Sequence, residues 1–297
     1  MKFSPIIYLI GMLLCILSMF MIVPGLVDWF YGSKNWPAFV GSSMATLFVG
    51  SILFLTNKGS ATEHLELRQA FLLTNSAWIS IALFGSLPFL LSDINMSFID
   101  AFFESTSGIT TTGATVIENL ETKSHGILIW RALLQWLGGV GIIVMALAVL
   151  PMLSIGGMQL FKTESYETPD KVVPKAASFA AGISIVYITL TIIWAFMLWG
   201  AGMPIFDSIA HAMTTLATGG YSTKSESLAA FNSSSIEIII IFGMLVGSLP
   251  FVHYLTLSKN GMKNLIKDDQ VKLFLTLVFF VVLIMSLHLS AKNIPYL

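Results

Sequence analysis

Long uninterrupted apolar runs leave this chain few ways to fold. Seven stretches, Ile6–Val27, Ala38–Leu55, Gln69–Ser92, Ala132–Phe161, Ala176–Phe206, Ile238–Ser258 and Leu273–Ala291, carry the pattern. A helix rising about 1.5 Å per residue needs roughly 20 such residues to cross a bilayer core of about 30 Å. Only 10% of the 297 residues are charged and 56% are hydrophobic, whereas soluble domains carry about 25% charged residues. So few charges cannot solvate a surface of this size, and the expected fold is an all-α polytopic membrane protein. The formal net charge of -1, with no strongly basic segment, gives no footprint for nucleic acid. The single cysteine, Cys15, excludes an intrachain disulfide and a cysteine-rich zinc site. The first run begins just after Lys2 and is too long for the roughly 7–15-residue core of a signal peptide. It is read as a retained helix.

Charge placement sets the expected orientation. With the N-terminus in the cytoplasm, ten Lys and Arg residues fall inside and five outside. The bias favours that topology.

Two intervals, Asp93–Gly126 and Asp207–Glu237, break the pattern of crossings. Both are expected outside. Each opens with a short amphipathic segment, from Asp100 to Ile109 and from Ile205 to Leu216. As helices these reach about 15 Å, half of the membrane. Asp100 and Asp207 stand near their starts, where carboxylates cap free N–H groups and suit the dipole. The expectation is therefore seven spanning helices plus two half-depth pore helices.

The two intervals are copies. Asp100-Ala101-Phe102-Phe103-Glu104 through Gly113-Ala114-Thr115 aligns without a gap on Asp207 through Gly220-Tyr221-Ser222, at a constant offset of 107. Each copy lies between two long apolar runs, so the unit is outer helix, half-depth helix, polar loop, inner helix. The expected organisation is two preceding helices (1–68), a first pore unit (69–175), a second (176–270) and the outer helix of a third (271–297).

A half-depth helix must return through irregular backbone. At membrane depth such backbone is tolerated only where it is buried in protein or faces a wet cavity. The returning segments are Thr111-Thr112-Gly113-Ala114-Thr115 and Thr218-Gly219-Gly220-Tyr221-Ser222. Their carbonyl oxygens suit replacement of a cation's hydration shell. Glycine admits the backbone angles that turn neighbouring carbonyls the same way. The closest ligands to K+ are expected from Thr111, Thr112, Thr218 and Gly219, with the hydroxyls of Thr111 and Thr218 as further oxygens. A single such loop reads equally well as a polar turn between helices. Two at one offset favour a pore.

At these residues the chain resembles a known family. "DAFFESTSGITTTGAT", "WRALLQWLGGVGIIVMALAVLPML", "GGMQLFKTE" and "ATGGYST" are similar to the membrane subunit of the Trk/Ktr potassium transporters, the Trk branch in particular. The resemblance implies potassium uptake across the bacterial inner membrane through four pore units around one axis. It implies a homodimer and a cytoplasmic regulatory subunit that carries the nucleotide. No covalent cofactor is implied. The third unit stops after its outer helix, so the chain is expected to carry two of four units. The open alternative is a non-conducting fragment or one piece of a split transporter. A membrane-embedded enzyme is the weaker reading: there is no HExxH and no Ser/His/Asp set.

Arg131, at the outer start of the fourth run, is expected as an interfacial anchor, with ordering of ions at the mouth as the alternative. Glu104 is expected to tune the pore mouth or to hold neighbouring pore structure. His211 takes its place in the second copy. Gly138-Gly139-Val140-Gly141 follows no strand and reads as close helix packing or a hinge. His253 and His288 are isolated and make no metal site. The basic stretch from Lys259 to Lys272 and the 151–175 connection are candidate docking surfaces.

Overall fold

The computed structural model describes residues 3–60, 67–153, 172–251, 253–255 and 267–291, the stretches 142–153 and 172–179 by backbone alone. The helices are α1 (Ser4–Phe30), α2 (Trp36–Thr56), α3 (Leu67–Gly85), α4 (Leu87–Leu91), α5 (Phe98–Ile109), α6 (His125–Leu153), α7 (Val172–Gly200), α8 (Ile205–Leu216), α9 (Ser234–Ser248) and α10 (Asp269–Ala291). The described residues contain no strand. Five helical segments are long and apolar enough to span a membrane: Ser4–Phe30, Trp36–Thr56, Arg68–Leu91, Ala180–Gly200 and Asp269–Ser290. The protein is a multi-pass, all-helical membrane protein. Most of the 151–175 connection and Lys259 and Lys263 lie outside the described residues.

Helix starts follow local chemistry. Pro5, Pro37 and Pro88 occupy first-turn positions, where a missing N–H costs nothing. Ser97 caps α5 by accepting the Asp100 N–H at 3.2 Å, and its hydroxyl donates to the Asp100 carboxylate at 2.7 Å. Ser97, not the Asp100 carboxylate, is therefore the cap, and Asp100 takes part by holding the Ser97 hydroxyl. Asp207 does not cap α8, whose N-cap is Pro204. Its carboxylate instead accepts the Thr223 hydroxyl at 2.6 Å, tying the helix start to the end of the second loop.

The expected fourth span starts at Ala132, but α6 begins at His125. Arg131 is no boundary, because its charge is neutralised inside the protein rather than at a surface. The N-terminus of α6 is capped from a distant helix. Asp28, fully buried on α1, accepts the Gly126 N–H at 2.6 Å and the Ser124 hydroxyl at 3.0 Å. A carboxylate there satisfies a free donor and suits the helix dipole. Asp28→Ala is expected to destabilise the fold by about 2–3 kcal/mol, since charge-assisted bonds contribute roughly 1.5–3 kcal/mol. Thermal unfolding in lipid nanodiscs checks this; an unchanged midpoint would mean water replaces the cap.

The chain forms two compact units, Met1–Ser248 and Leu249–Leu297. In the first, α1 packs along α2 and against α3 and α6, with Leu14, Leu17, Met21, Phe39, Phe89 and Trp130 in its core. In the second, Asp268 accepts the Gln270 N–H at 2.8 Å at the start of α10 and pairs with His253 at 3.0 Å.

Candidate functional site

The two half-length helices are both present, each of 12 residues, or about 18 Å. The second has the boundaries expected from sequence. Their ends are built alike. In α5 the Thr111 N–H reaches Gly108 O at 3.0 Å and the Thr112 N–H reaches Ser107 O at 2.9 Å. In α8 the Thr218 N–H reaches Thr215 O at 3.0 Å and the Gly219 N–H reaches Thr214 O at 2.9 Å. Both are Schellman closures, which need a left-handed residue just past the helix. The long helices α1 and α7 close in the same way on Gly32 (φ 70°) and Gly202 (φ 99°). The half-length helices use Thr111 (φ 55°) and Thr218 (φ 53°) instead. A β-branched residue there is strained by about 1–3 kcal/mol. That strain occurs twice, at the 107-residue offset, where glycine would relieve it.

Two residues further on, Gly113 (φ 81°) and Gly220 (φ 83°) repeat the correspondence. The two loops also meet. A Cβ added to Gly113 would stand 2.1 Å from the carbonyl oxygen of Gly219. Among the described residues no hydrogen bond ends on the carbonyl oxygens of Thr111, Thr112, Gly113, Thr218, Gly219 or Gly220. The hydroxyls of Thr111 and Thr218 are likewise without a partner among the described residues. The structure thus brings together both predicted loops, with six main-chain oxygens uncommitted.

The remaining loop carbonyls are not all free, which corrects the expectation for two of them. Ala114 O accepts the Ser107 hydroxyl at 2.6 Å and the Tyr221 hydroxyl at 3.2 Å. Ser222 O accepts from Arg131 Nη1 at 2.8 Å. Those two oxygens turn into the protein and brace the loops. Tyr221 is buried, and its ring lies 4.1 Å from the Arg131 guanidinium carbon.

Arg131 is not an interfacial anchor. It is 1% exposed and donates from Nε to Glu104, which is fully buried, at 2.7 Å. Snorkelling to the interface would abandon a buried carboxylate, and that costs more than desolvating the pair. Glu104 further accepts the Thr115 hydroxyl at 2.9 Å and the Val116 N–H at 3.0 Å. The pair therefore joins the first half-length helix, both loops and the inner helix α6.

His211 performs the same task in the second copy. Its Nδ1 lies 2.8 Å from Asp207 O, and a carbonyl only accepts, so Nδ1 carries the proton. Nε2 then accepts the Ser222 hydroxyl at 3.1 Å. Ser222 Oγ in turn accepts the Lys224 N–H at 3.0 Å, as Thr115 Oγ1 accepts the Ile117 N–H at 3.1 Å. Glu104 and His211 are different residue types, each holding the hydroxyl at the equivalent position of its own loop, Thr115 and Ser222.

The glycines of α6 set the spacing. A Cβ on Gly138 would meet Ile109 O at 2.0 Å, and one on Gly139 would meet Ala217 Cα at 3.2 Å. Adjacent residues of one helix therefore touch the ends of both half-length helices. The packing expected of this cluster is present at these two positions, while Gly141 has open space. In α9, Gly247 lies in the same way against Leu216 O, at 2.8 Å.

Above the loops, Glu121 accepts the Ser225 N–H at 2.6 Å and its hydroxyl at 2.7 Å. These bonds hold the Glu121 carboxyl below its ordinary value of 4.5. The clasp contributes fully above that ordinary value and is lost as pH falls through the lower folded one. Sequence reasoning missed this clasp, Asp28 and Gln135. The last had a readable signal: it is a polar residue inside an apolar run, four positions from Arg131 and on the same helix face.

Fold and site together define a multi-pass membrane protein with two repeated half-helix and loop units. The chain belongs to the TrkH family, described as cation transport proteins, which matches residues 36–295. It is 39% identical to the Trk system potassium uptake protein TrkH of Salmonella typhimurium (strain LT2) and 38% identical to that of Escherichia coli (strain K12). Each alignment covers 99% of this chain and 62% of the relative. The crystal structure of the potassium transporter TrkH from Vibrio parahaemolyticus superposes with a TM-score of 0.88 at 36% identity, over 98% of this chain and 60% of that one. The chain thus spans about three-fifths of the length of these relatives.

Proposed function

We propose that this chain takes part in potassium uptake across the bacterial inner membrane, with its N-terminus in the cytoplasm. In this reading it carries two of the four units around one pore, residues 69–175 and 176–270, and the start of a third. The loops Thr111–Thr115 and Thr218–Ser222 line the selectivity filter. Main-chain oxygens of Thr111, Thr112, Thr218 and Gly219 replace the ion's water shell. The observation that carries the reading is the pair of touching loops, each strained at a threonine and each left with uncommitted carbonyls. Oxygens held ready without donors suit a cation that supplies the missing positive charge. The C-terminal ends of α5 and α8, facing the same loops, add favourable dipole. The relatives' names, potassium uptake proteins, point to the ion.

Glu104 and Arg131 tune the filter from behind by fixing both loops rather than by touching the ion. Ala114, Thr115, Tyr221 and Ser222 complete that frame. The reading includes no covalent cofactor. It includes a homodimer of the complete transporter and a cytoplasmic regulatory subunit that binds the nucleotide. It is tested by expressing the chain in cells that lack potassium uptake and measuring growth at low potassium. Growth rescue is expected when the other two units are supplied alongside the chain, and no rescue even then would overturn uptake. Rescue by the chain alone would instead rule out a piece that conducts only in assembly with other pore subunits.

A further inference from the structure

Gln135 stands where the two loops meet and has no part in the reading above. It lies on α6, one turn beyond Arg131, and is fully buried. Its Oε1 accepts the Tyr221 N–H at 3.0 Å, so a side chain of the first unit holds backbone of the second. A Cβ on Gly219 would meet the Gln135 Cδ at 2.3 Å, and one on Gly113 would lie 3.7 Å from its Nε2. The amide is thus wedged between both loops. In a trans peptide the N–H and C=O point in opposite directions. Because Gln135 holds the Tyr221 N–H, the Gly220 carbonyl of the same peptide is turned away from α6. The Gln135 Nε2 has no acceptor among the described residues. A buried unpaired donor is a cost that an apolar side chain of the same shape avoids. Met244 stands at the corresponding place on α9, counting from the first residue of each helix. It cannot replace the amide and is 53% exposed.

We propose that Gln135 is a positioning residue for ion selection: wedged between the two loops, it fixes the Gly220–Tyr221 peptide plane and so the direction of the Gly220 carbonyl. The proposal rests on the loops forming a cation site. Its test uses the full chain in lipid nanodiscs, titrated separately with potassium and with sodium while the unfolding temperature is followed. Gln135→Met keeps the volume and removes both the acceptor and the donor. Gln135→Glu keeps an acceptor for the Tyr221 N–H. In Gln135→Met the preference for potassium over sodium is expected to fall about five- to tenfold, equivalent to one lost buried hydrogen bond. Gln135→Glu is expected to retain more of that preference than Gln135→Met.

A residue that only packs would lower the ion-free unfolding temperature and leave the ratio of the two ion affinities unchanged. That result overturns the proposal. Failure of both variants to fold also overturns it, by assigning Gln135 to packing alone. If the wild-type chain shows no potassium-specific stabilisation, the cation site itself falls and this role falls with it. A selective wild type with an equally selective Gln135→Met removes only the role of Gln135.

Discussion

Arg131→Met is expected to destabilise the folded chain by about 3–5 kcal/mol, the usual cost of leaving one buried charge without its partner. The size follows from burial. Glu104 is fully buried, and Arg131 supplies the only ion-pair partner it has among the described residues. The variant also removes the donor to Ser222 O and the cation over the Tyr221 ring. Arg131→Lys is expected to fall between, because an ammonium cannot present the forked donors that reach Glu104 and Ser222 together. The double variant Glu104→Gln with Arg131→Met is expected to recover part of the loss, since no lone charge remains buried. Chemical unfolding of the wild type, Glu104→Gln, Arg131→Met and the double variant in mixed micelles gives the cycle. A loss under about 1 kcal/mol in Arg131→Met would mean that water reaches the pair as it does at a surface.

The second large effect separates two glycines that look equivalent in sequence. Gly113 and Gly220 share the offset of 107 and nearly the same φ, 81° and 83°. Their surroundings differ. At Gly220 an added Cβ meets nothing within 4 Å, so Gly220→Ser carries only the left-handed penalty of about 1–2 kcal/mol. At Gly113 the same atom stands 2.1 Å from the Gly219 carbonyl oxygen. That neighbour is backbone and cannot swing aside, so one loop must push the other. Gly113→Ser is expected to reduce the preference for potassium over sodium by more than tenfold, beyond the roughly 1.4 kcal/mol that a tenfold ratio represents. Gly220→Ser is expected to keep most of it. Equal losses in the two variants, read from potassium and sodium titrations, would show that the loops act separately.

The membrane class, the repeat and both half-length helices were legible because each leaves a pattern along the chain. Apolar run length marks the crossings, and a constant offset marks the copies. The bounds of α8 matched their expectation for this reason. What the sequence hid is partnership across space. Arg131 looks like the edge of a span, since nothing beside it along the chain is acidic; Glu104, 27 residues earlier, makes it an interior residue. Asp28 sits at the end of an ordinary apolar helix, and its role exists only because Gly126, 98 residues later, turns a free N–H toward it. Glu104 and His211 share no chemistry that an alignment of residue types would reward. They occupy the same offset and meet through the hydroxyls of Thr115 and Ser222. The loops themselves were found, but which of their carbonyls turn inward depended on Ser107, Tyr221 and Arg131.

Gly138 and Gly139 are neighbours, yet they rest on different half-length helices, one on Ile109 and the other on Ala217. At Gly138 the neighbour is the Ile109 backbone alone, and at Gly139 the Ala217 backbone and Cβ are joined by the Tyr187 hydroxyl. A slide or rotation of α6 at this level would be transmitted to the two loops together. A mechanical signal arriving along α6 would therefore reach both loops through one helix.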